Sequence, residues 1–328
     1  MTKPDLFICH TQYHVLASLI KVLARPRPAD IILSEAIPGR EELARRLSAS
    51  GVFGQVLTYP DEHWPAPPQK GWRALLGHPM QRRALRLAGF SLDPRVYGQI
   101  CIYNDWTPLG RWLQDWGVHY ILGEDTRNHL AHPSNIHIDR QRALPDFERR
   151  RQSGRGYLYW GGYRGVDGVE MSDPSQVPYY QEKAIAIDPL QLLESFGPDK
   201  RGVIRRVFVS GELPATDRPA CLLLPRSFYV DRDLPSQEAQ NRLCLDVAAQ
   251  YAQGYQLFIK THPRDTTDYK ALFPEAVVLD RFMPSELLDY CFEVRFARAV
   301  GLCTASVANL KCADEKISLG YDFIEPYR

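Results

Sequence analysis

Tyr255-Gln-Leu-Phe-Ile-Lys-Thr-His-Pro-Arg-Asp265 is the stretch from which the fold is read. Tyr255 to Ile259 are mostly apolar or aromatic and follow Gly254, the pattern of a short buried strand. The strand breaks off into Lys260, Thr261, His262, Pro263, Arg264 and Asp265. In an open α/β sheet, ligands bind outside the carboxyl ends of the strands, where such residues are delivered. Lys260, His262 and Arg264 together make a candidate anion site there. Pro263 has a fixed φ and confines His262 to extended geometry, which stiffens the backbone carrying the imidazole. The ordinary alternative is a strand-to-loop turn with solvated charges. The dipeptide alone carries nothing, because His78-Pro79 and His132-Pro133 lack a comparable preceding strand.

The same grammar of strand, turn and helix extends in both directions. In the first half, strands are expected at 6–9, 30–33 and 55–59. Helices follow at 12–23, capped by Thr11, and at 41–50, stopped by Gly51. This βαβαβ order signals a parallel sheet. Further strands are expected at 99–103 and 119–122, with a helix at 107–116 between them. The second of these strands ends in Gly123-Glu124-Asp125-Thr126-Arg127-Asn128. Residues 140–200 read as the irregular end of a domain plus a linker, with a strand at 184–187 and a short helix at 190–196.

The pattern then restarts. Strands are expected at 221–224, 255–260, 276–279, 298–302 and 317–319. A helix at 236–252, capped by Ser236, carries Leu243, Leu245 and Val247. Shorter helical pieces are expected at 268–273, at 284–288 behind Pro284, and from 307 onward. The expected fold is α/β, with two Rossmann-like domains whose parallel sheets face a cleft. Neither GxGxxG nor GxxxxGK[ST] occurs, so a phosphate must be held some other way.

Composition sets the outer limits. With 328 residues the chain has room for two ordinary domains. A net charge of +1 provides no field for nucleic acid, so a basic site must be local. Seven Cys without CxxC spacing read as small buried hydrophobes in a reducing compartment, as at Cys9, Cys101, Cys221, Cys244 and Cys303. The Met-Thr-Lys-Pro-Asp start lacks the apolar core of a signal peptide, and no apolar run is long enough to span a bilayer. A cytoplasmic protein is expected. Residues 72–89 read as a basic amphipathic helix with Arg73, Arg82, Arg83 and Arg86. It is either a solvated surface helix or a peripheral contact with an anionic inner membrane.

Three polar clusters end strands: Glu124-Asp125, Lys260 to Arg264, and Thr304 to Ser306. Each suits one step of a group transfer. A carboxylate deprotonates an attacking hydroxyl, a His donates to a departing phosphate, and Ser or Thr hydroxyls cradle that phosphate. Taken singly, Glu124 and Asp125 read as turn residues, and Thr304 and Ser306 as helix caps. No cluster has metal-ligand spacing, so neither a metal nor another cofactor is invoked.

The order of these motifs resembles the bacterial sialyltransferases of GT-B fold. The nearest group is glycosyltransferase family 52, the lipooligosaccharide sialyltransferases, with capsule polysialyltransferases close in motif order. Ile8-Cys-His-Thr-Gln-Tyr-His-Val-Leu16 resembles their opening strand and turn, and Pro284-Ser-Glu-Leu-Leu288 resembles their Pro-x-Glu-x-Leu segment. The acidic motif departs from the family's Asp/Glu-Asp-Gly in having Thr126 in place of Gly, and the family's Ser pair becomes Thr304-Ala305-Ser306.

The resemblance implies an inverting, metal-independent transfer of sialic acid or a related nonulosonate. The donor is its CMP derivative and the acceptor a glycan hydroxyl of lipopolysaccharide or capsule. It assigns residues 1–195 to the acceptor side and 196–328 to CMP. It implies Asp125 or Glu124 as base and His262 at the donor phosphate. Lys260, Pro263, Arg264, Thr304 and Ser306 fall on the donor, and Thr11, Gln12 and His14 on the acceptor side. It leaves a homodimer open. The rival readings are a GT-B transferase with another donor (a UDP-sugar, CMP-Kdo or a polyol phosphate) and a non-catalytic nucleotide- or glycan-binding subunit.

Overall fold

The computed structural model describes residues 2–61, 90–131, 136–153, 156–209, 216–290, 295–304 and 306–328. The expected helix at 72–89 lies outside these residues. The chain forms two compact units, Met1–Phe196 and Gly197–Arg328.

The first unit is built on a seven-stranded sheet in the order β3-β2-β1-β4-β5-β6-β7, parallel at every pairing. The strands are β1 Asp5–Cys9, β2 Ala29–Ser34, β3 Val56–Tyr59, β4 Ile100–Ile102, β5 Tyr120–Leu122, β6 Val166–Met171 and β7 Ala184–Ala186. β1 and β2 are buried along their whole length, as a parallel sheet covered on both faces requires. Helix α1, Gln12–Ala24, follows β1 and is capped by Thr11, whose hydroxyl accepts from the His14 amide. Helix α2, Arg40–Ser50, ends at Gly51, which takes the left-handed conformation open to glycine.

Residues 166–171 correct an expectation, because the segment read as irregular is strand β6. Its Val-Asp-Gly-Val-Glu-Met sequence conceals a strand, since glycine has low strand propensity. The reason for Gly168 is close packing. A Cβ there would meet Ile185 of β7 at 2.3 Å and Ile121 of β5 at 3.1 Å, so neighbouring side chains fill the space. Helices at Ile136–Arg142 and Phe147–Ser153 also occupy the stretch taken as irregular.

The second unit has a five-stranded parallel sheet, β10-β9-β8-β11-β12. Its strands are β8 Ala220–Leu224, β9 Gln256–Ile259, β10 Val277–Val278, β11 Phe296–Leu302 and β12 Ala313–Leu319. Helix Pro198–Phe208 opens the unit, and the long helix Gln237–Tyr251 is capped by Ser236 as expected. Leu243 and Val247 of that helix are buried, but Leu245 points outward and is exposed. The piece behind Pro284 is a 3-10 turn, Ser285–Asp289, with Pro284 preceding it. β12 is longer than expected because Asp314, Glu315 and Lys316 are exposed on it. Such charge on an edge strand guards against pairing with another chain. Among the described cysteines all are free and most are buried; Cys303 is half-buried with a φ of 49°.

Candidate functional site

Both sheets reverse their direction of growth once, and the reversal fixes where a site can form. In the first sheet β1 lies between β2 and β4; in the second β8 lies between β9 and β11. The loops leaving the two central strands turn to opposite faces and open a crevice at their carboxyl ends. The candidate residues fall at these two places.

In the first unit, α1 carries His14 beneath the end of β1. The ring is fully buried and stacks on Tyr103, just beyond β4, with centroids 4.4 Å apart and planes 8° apart. Nδ1 of His14 accepts from the His10 amide at 3.1 Å. An amide N–H can only donate, so the ring proton sits on Nε2. Nε2 then donates to Asp125 Oδ1 at 2.7 Å and lies 3.0 Å from the Asp125 carbonyl. Burial alone raises the Asp125 pKa. The hydrogen bond from His14, with His129 and Asn104, outweighs it and holds Asp125 below the ordinary aspartate value. The Asp125 side chain remains 32% exposed, so the carboxylate is both ionised and reachable.

Glu124 has a different role. It is buried and accepts from the Ser172 amide at 3.0 Å and from the Ser172 hydroxyl. Burial pushes its pKa up to about 7 despite these bonds. It anchors the end of β6, and of the two carboxylates Asp125 is the one open to a substrate. Thr11, Gln12 and His14 were expected on the acceptor side, but their side chains are engaged inside the unit. Thr11 caps α1, Gln12 donates to the Pro38 carbonyl at 3.1 Å, and His14 holds Asp125.

In the second unit, the loop after β9 presents His262. Pro263 occupies the second position of a turn closed by the Asp265 amide on the His262 carbonyl at 3.0 Å. Asp265 is buried and pins this loop. Its side chain accepts from Gln240 at 2.9 Å, the Thr267 amide at 3.0 Å, the Thr267 hydroxyl at 2.8 Å and Tyr269 at 2.8 Å. The Arg264 amide lies 3.3 Å from His262 Nδ1, so by the same argument the ring proton is on Nε2. Among the described residues nothing hydrogen-bonds Nε2. Burial lowers the His262 pKa, and the cations Arg264, Lys260 and Arg226 lower it further against the pull of Asp231.

The sequence reading missed Arg226, Ser227 and Asp231. Ser227 lies 3.2 Å from His262 Nδ1 and donates to Asp231 at 2.8 Å. Asp231 also receives Arg264 at 3.1 Å and Arg226 at 3.4 Å. The signal was present, because Leu222-Leu-Leu-Pro-Arg-Ser227 repeats the pattern of an apolar strand running into Pro and a basic residue. Arg226 also donates to the hydroxyl of the exposed Tyr321. Two guanidinium groups thus meet at Asp231, near a neutral imidazole, and a set of cations beside an N–H donor is suited to a phosphate.

Lys260 is placed otherwise than expected. It is buried, and Nζ donates to the Thr261 carbonyl at 2.7 Å and the Arg281 carbonyl at 3.2 Å. Burial lowers its pKa to about 8. Its ammonium ties two loops together and does not point outward. Thr304 Oγ1 accepts from the Ser306 amide at 3.2 Å and caps the short helix Ser306–Asn309.

No family model matches the chain. The alpha/beta-galactoside alpha-2,3-sialyltransferase of the luminous marine bacterium Photobacterium phosphoreum aligns with 97% of this chain and 90% of its own. The TM-score is 0.55 and the identity 10%. A looser likeness, at a TM-score of 0.41 and 10% identity, covers 98% of this chain and 91% of the UDP-GlcNAc 2-epimerase of Methanocaldococcus jannaschii. A stretch of 71 residues is 41% identical to an uncharacterized protein of Haemophilus influenzae and spans only 22% of that relative and 22% of this chain. Two parallel α/β units with this strand order define a GT-B, glycosyltransferase-like fold. Among the described residues no helix is long and apolar enough to cross a membrane.

Proposed function

We propose that the protein is an inverting glycosyltransferase that moves sialic acid or a related nonulosonate from its CMP derivative to a glycan hydroxyl. The observation that carries this reading is His262, with Nδ1 occupied from within, Nε2–H left open, and Arg226 and Arg264 gathered nearby on Asp231. The motif order and the likeness of fold to a sialyltransferase support CMP as the nucleotide.

In the proposed displacement the acceptor oxygen attacks the anomeric carbon of the donor. Its proton passes to Asp125, and the bond from that carbon to the phosphate oxygen breaks. The electron pair of that bond leaves with CMP. Arg226, Arg264 and the His262 N–H stabilise the charge gathering on the phosphate. Glu124 and Lys260, both tied up by structural bonds, take no step in this scheme.

A thermal-shift panel with CMP, UDP, GDP and CMP-sialic acid tests the reading, because a ligand that binds only the folded state raises its melting temperature. A rise with CMP and CMP-sialic acid that shrinks in His262→Ala is the expected result. A rise with UDP alone replaces the donor, and no rise with any of them overturns the reading.

A further inference from the structure

We infer that His14 is the positioning residue for Asp125, and that the base of the reaction is the carboxylate and not the imidazole. This rests on the reading of Asp125 as the base. His10 sets the tautomer of the His14 ring. Its backbone amide points at His14 Nδ1 and closes that nitrogen to a proton. The only ring N–H, at Nε2, is directed at the Asp125 carboxylate at 2.7 Å. The ring has no exposure to solvent, so an acceptor hydroxyl reaches Asp125 without reaching His14. The proton taken by Asp125 has no onward path into the ring, whose Nε2 already holds one and whose Nδ1 is capped.

The ring is fixed in position as well as in tautomer. Tyr103 stacks on it, the Tyr103 hydroxyl lies 2.9 Å from Ser18 Oγ, and Ser18 Oγ donates to the His14 carbonyl at 2.8 Å. Lys21, on the same helix as His14 and held by Glu170 at 2.7 Å, sits 4.7 Å from the centroid of the Tyr103 ring. His10 packs edge-on against His14 and Tyr59, and its burial leaves it uncharged, with a pKa near 3. The described groups facing Asp125 are therefore His14 from α1, His10 beyond β1, Asn104 beyond β4 and His129 from the following turn. Of these, His14 makes the short bond.

Two variants test the assignment. His14→Phe keeps a ring against Tyr103 and removes the donor. His14→Gln offers an amide N–H in its place. The readouts are a carbon-13 NMR titration of the Asp125 carboxyl, which needs no turnover, and the pH profile of kcat/KM for CMP-sialic acid with a glycan acceptor. Loss of the bond in His14→Phe is expected to raise the Asp125 midpoint and the acidic limb of the profile together, by about one pH unit. Turnover is expected to fall roughly 10–100-fold, since a misplaced base loses most of its geometric advantage. His14→Gln is expected to recover most of both effects. An Asp125 midpoint equal in wild type and His14→Phe overturns the inference, as does equal abolition of turnover in both variants, the mark of an imidazole base. If the midpoint moves while the wild type shows no transfer, the pairing stands and the proposed reaction fails.

Discussion

Ser227 Oγ stands 3.2 Å from His262 Nδ1, and the two residues come from separate strand ends, those of β8 and β9. Ser227 gives its one hydroxyl proton to Asp231, so its oxygen rests against the edge of the imidazole as a packing contact and not as a donor to Nδ1. Ser227→Ala leaves the strands intact and removes one neighbour of the ring. The variant also loses the hydrogen bond to Asp231, which holds Arg226 and Arg264, and such a bond contributes about 0.5–1.5 kcal/mol. Turnover of CMP-sialic acid is therefore expected to fall roughly 2–10-fold, with a melting temperature lower by no more than a few degrees in the absence of ligand. Steady-state kinetics on the two proteins read the effect, and equal rates argue against this role for Ser227.

Asp265 gathers hydrogen bonds from three side chains and a backbone amide and is almost completely buried. Asp265→Ala leaves those donors without an acceptor in a site closed to water. The expected cost is about 3 kcal/mol, seen as a lower urea midpoint. The His262 loop should loosen at the same time and weaken CMP binding. A variant as stable as the wild type contradicts this account of the loop.

Glu124 makes stability depend on pH in a direction that can be worked out. Burial raises its folded-state pKa from 4.5 to about 7. A carboxyl raised on folding stabilises the protein below its unfolded pKa, and the contribution is lost as pH rises through the folded value. Asp105, raised by burial from 3.8 to about 6, acts in the same sense. From Glu124 alone the wild type is expected to lose up to about 3 kcal/mol between pH 4 and pH 8. Glu124→Gln keeps an acceptor for Ser172 and removes the titration. Urea unfolding at several pH values should give a flatter profile for the variant; parallel profiles would assign the dependence to other groups.

Much of the fold was legible because its signals are local. Apolar runs such as Leu6 to Cys9 and Cys221 to Leu224 need only burial on both faces to become strands. Thr11 and Ser236 announce their helices through one hydroxyl each. β6 was not legible because Gly168 is explained by Ile121 and Ile185, which are distant in sequence. The same limit governed the site. Asp125 and His262 stood out as polar groups at strand ends, whereas the groups they meet lie 111 and 35 residues away, at His14 and Ser227. Lys260 shows the opposite error, since a basic residue at a strand end is as well suited to bonding loop carbonyls as to meeting a phosphate.

Gly123 precedes the acidic pair, and an added Cβ would stand 2.5 Å from the Tyr103 ring. That ring supports His14, so the strain is transmitted to the group holding Asp125. Gly123→Ala is expected to destabilise the protein by about 1–3 kcal/mol and to lower turnover through Asp125. Thermal unfolding together with the rate of transfer checks both, and an unaffected rate would detach Gly123 from the site.

The most direct measurement is the release of CMP from CMP-sialic acid, with a glycan acceptor present, by the wild type, His262→Ala and Asp125→Asn. The account predicts acceptor-dependent release by the wild type. Both variants should show losses of roughly 10²–10⁴-fold with their folds intact. Release undiminished in His262→Ala, or no release by a wild type that is folded and supplied with donor and acceptor, would contradict it.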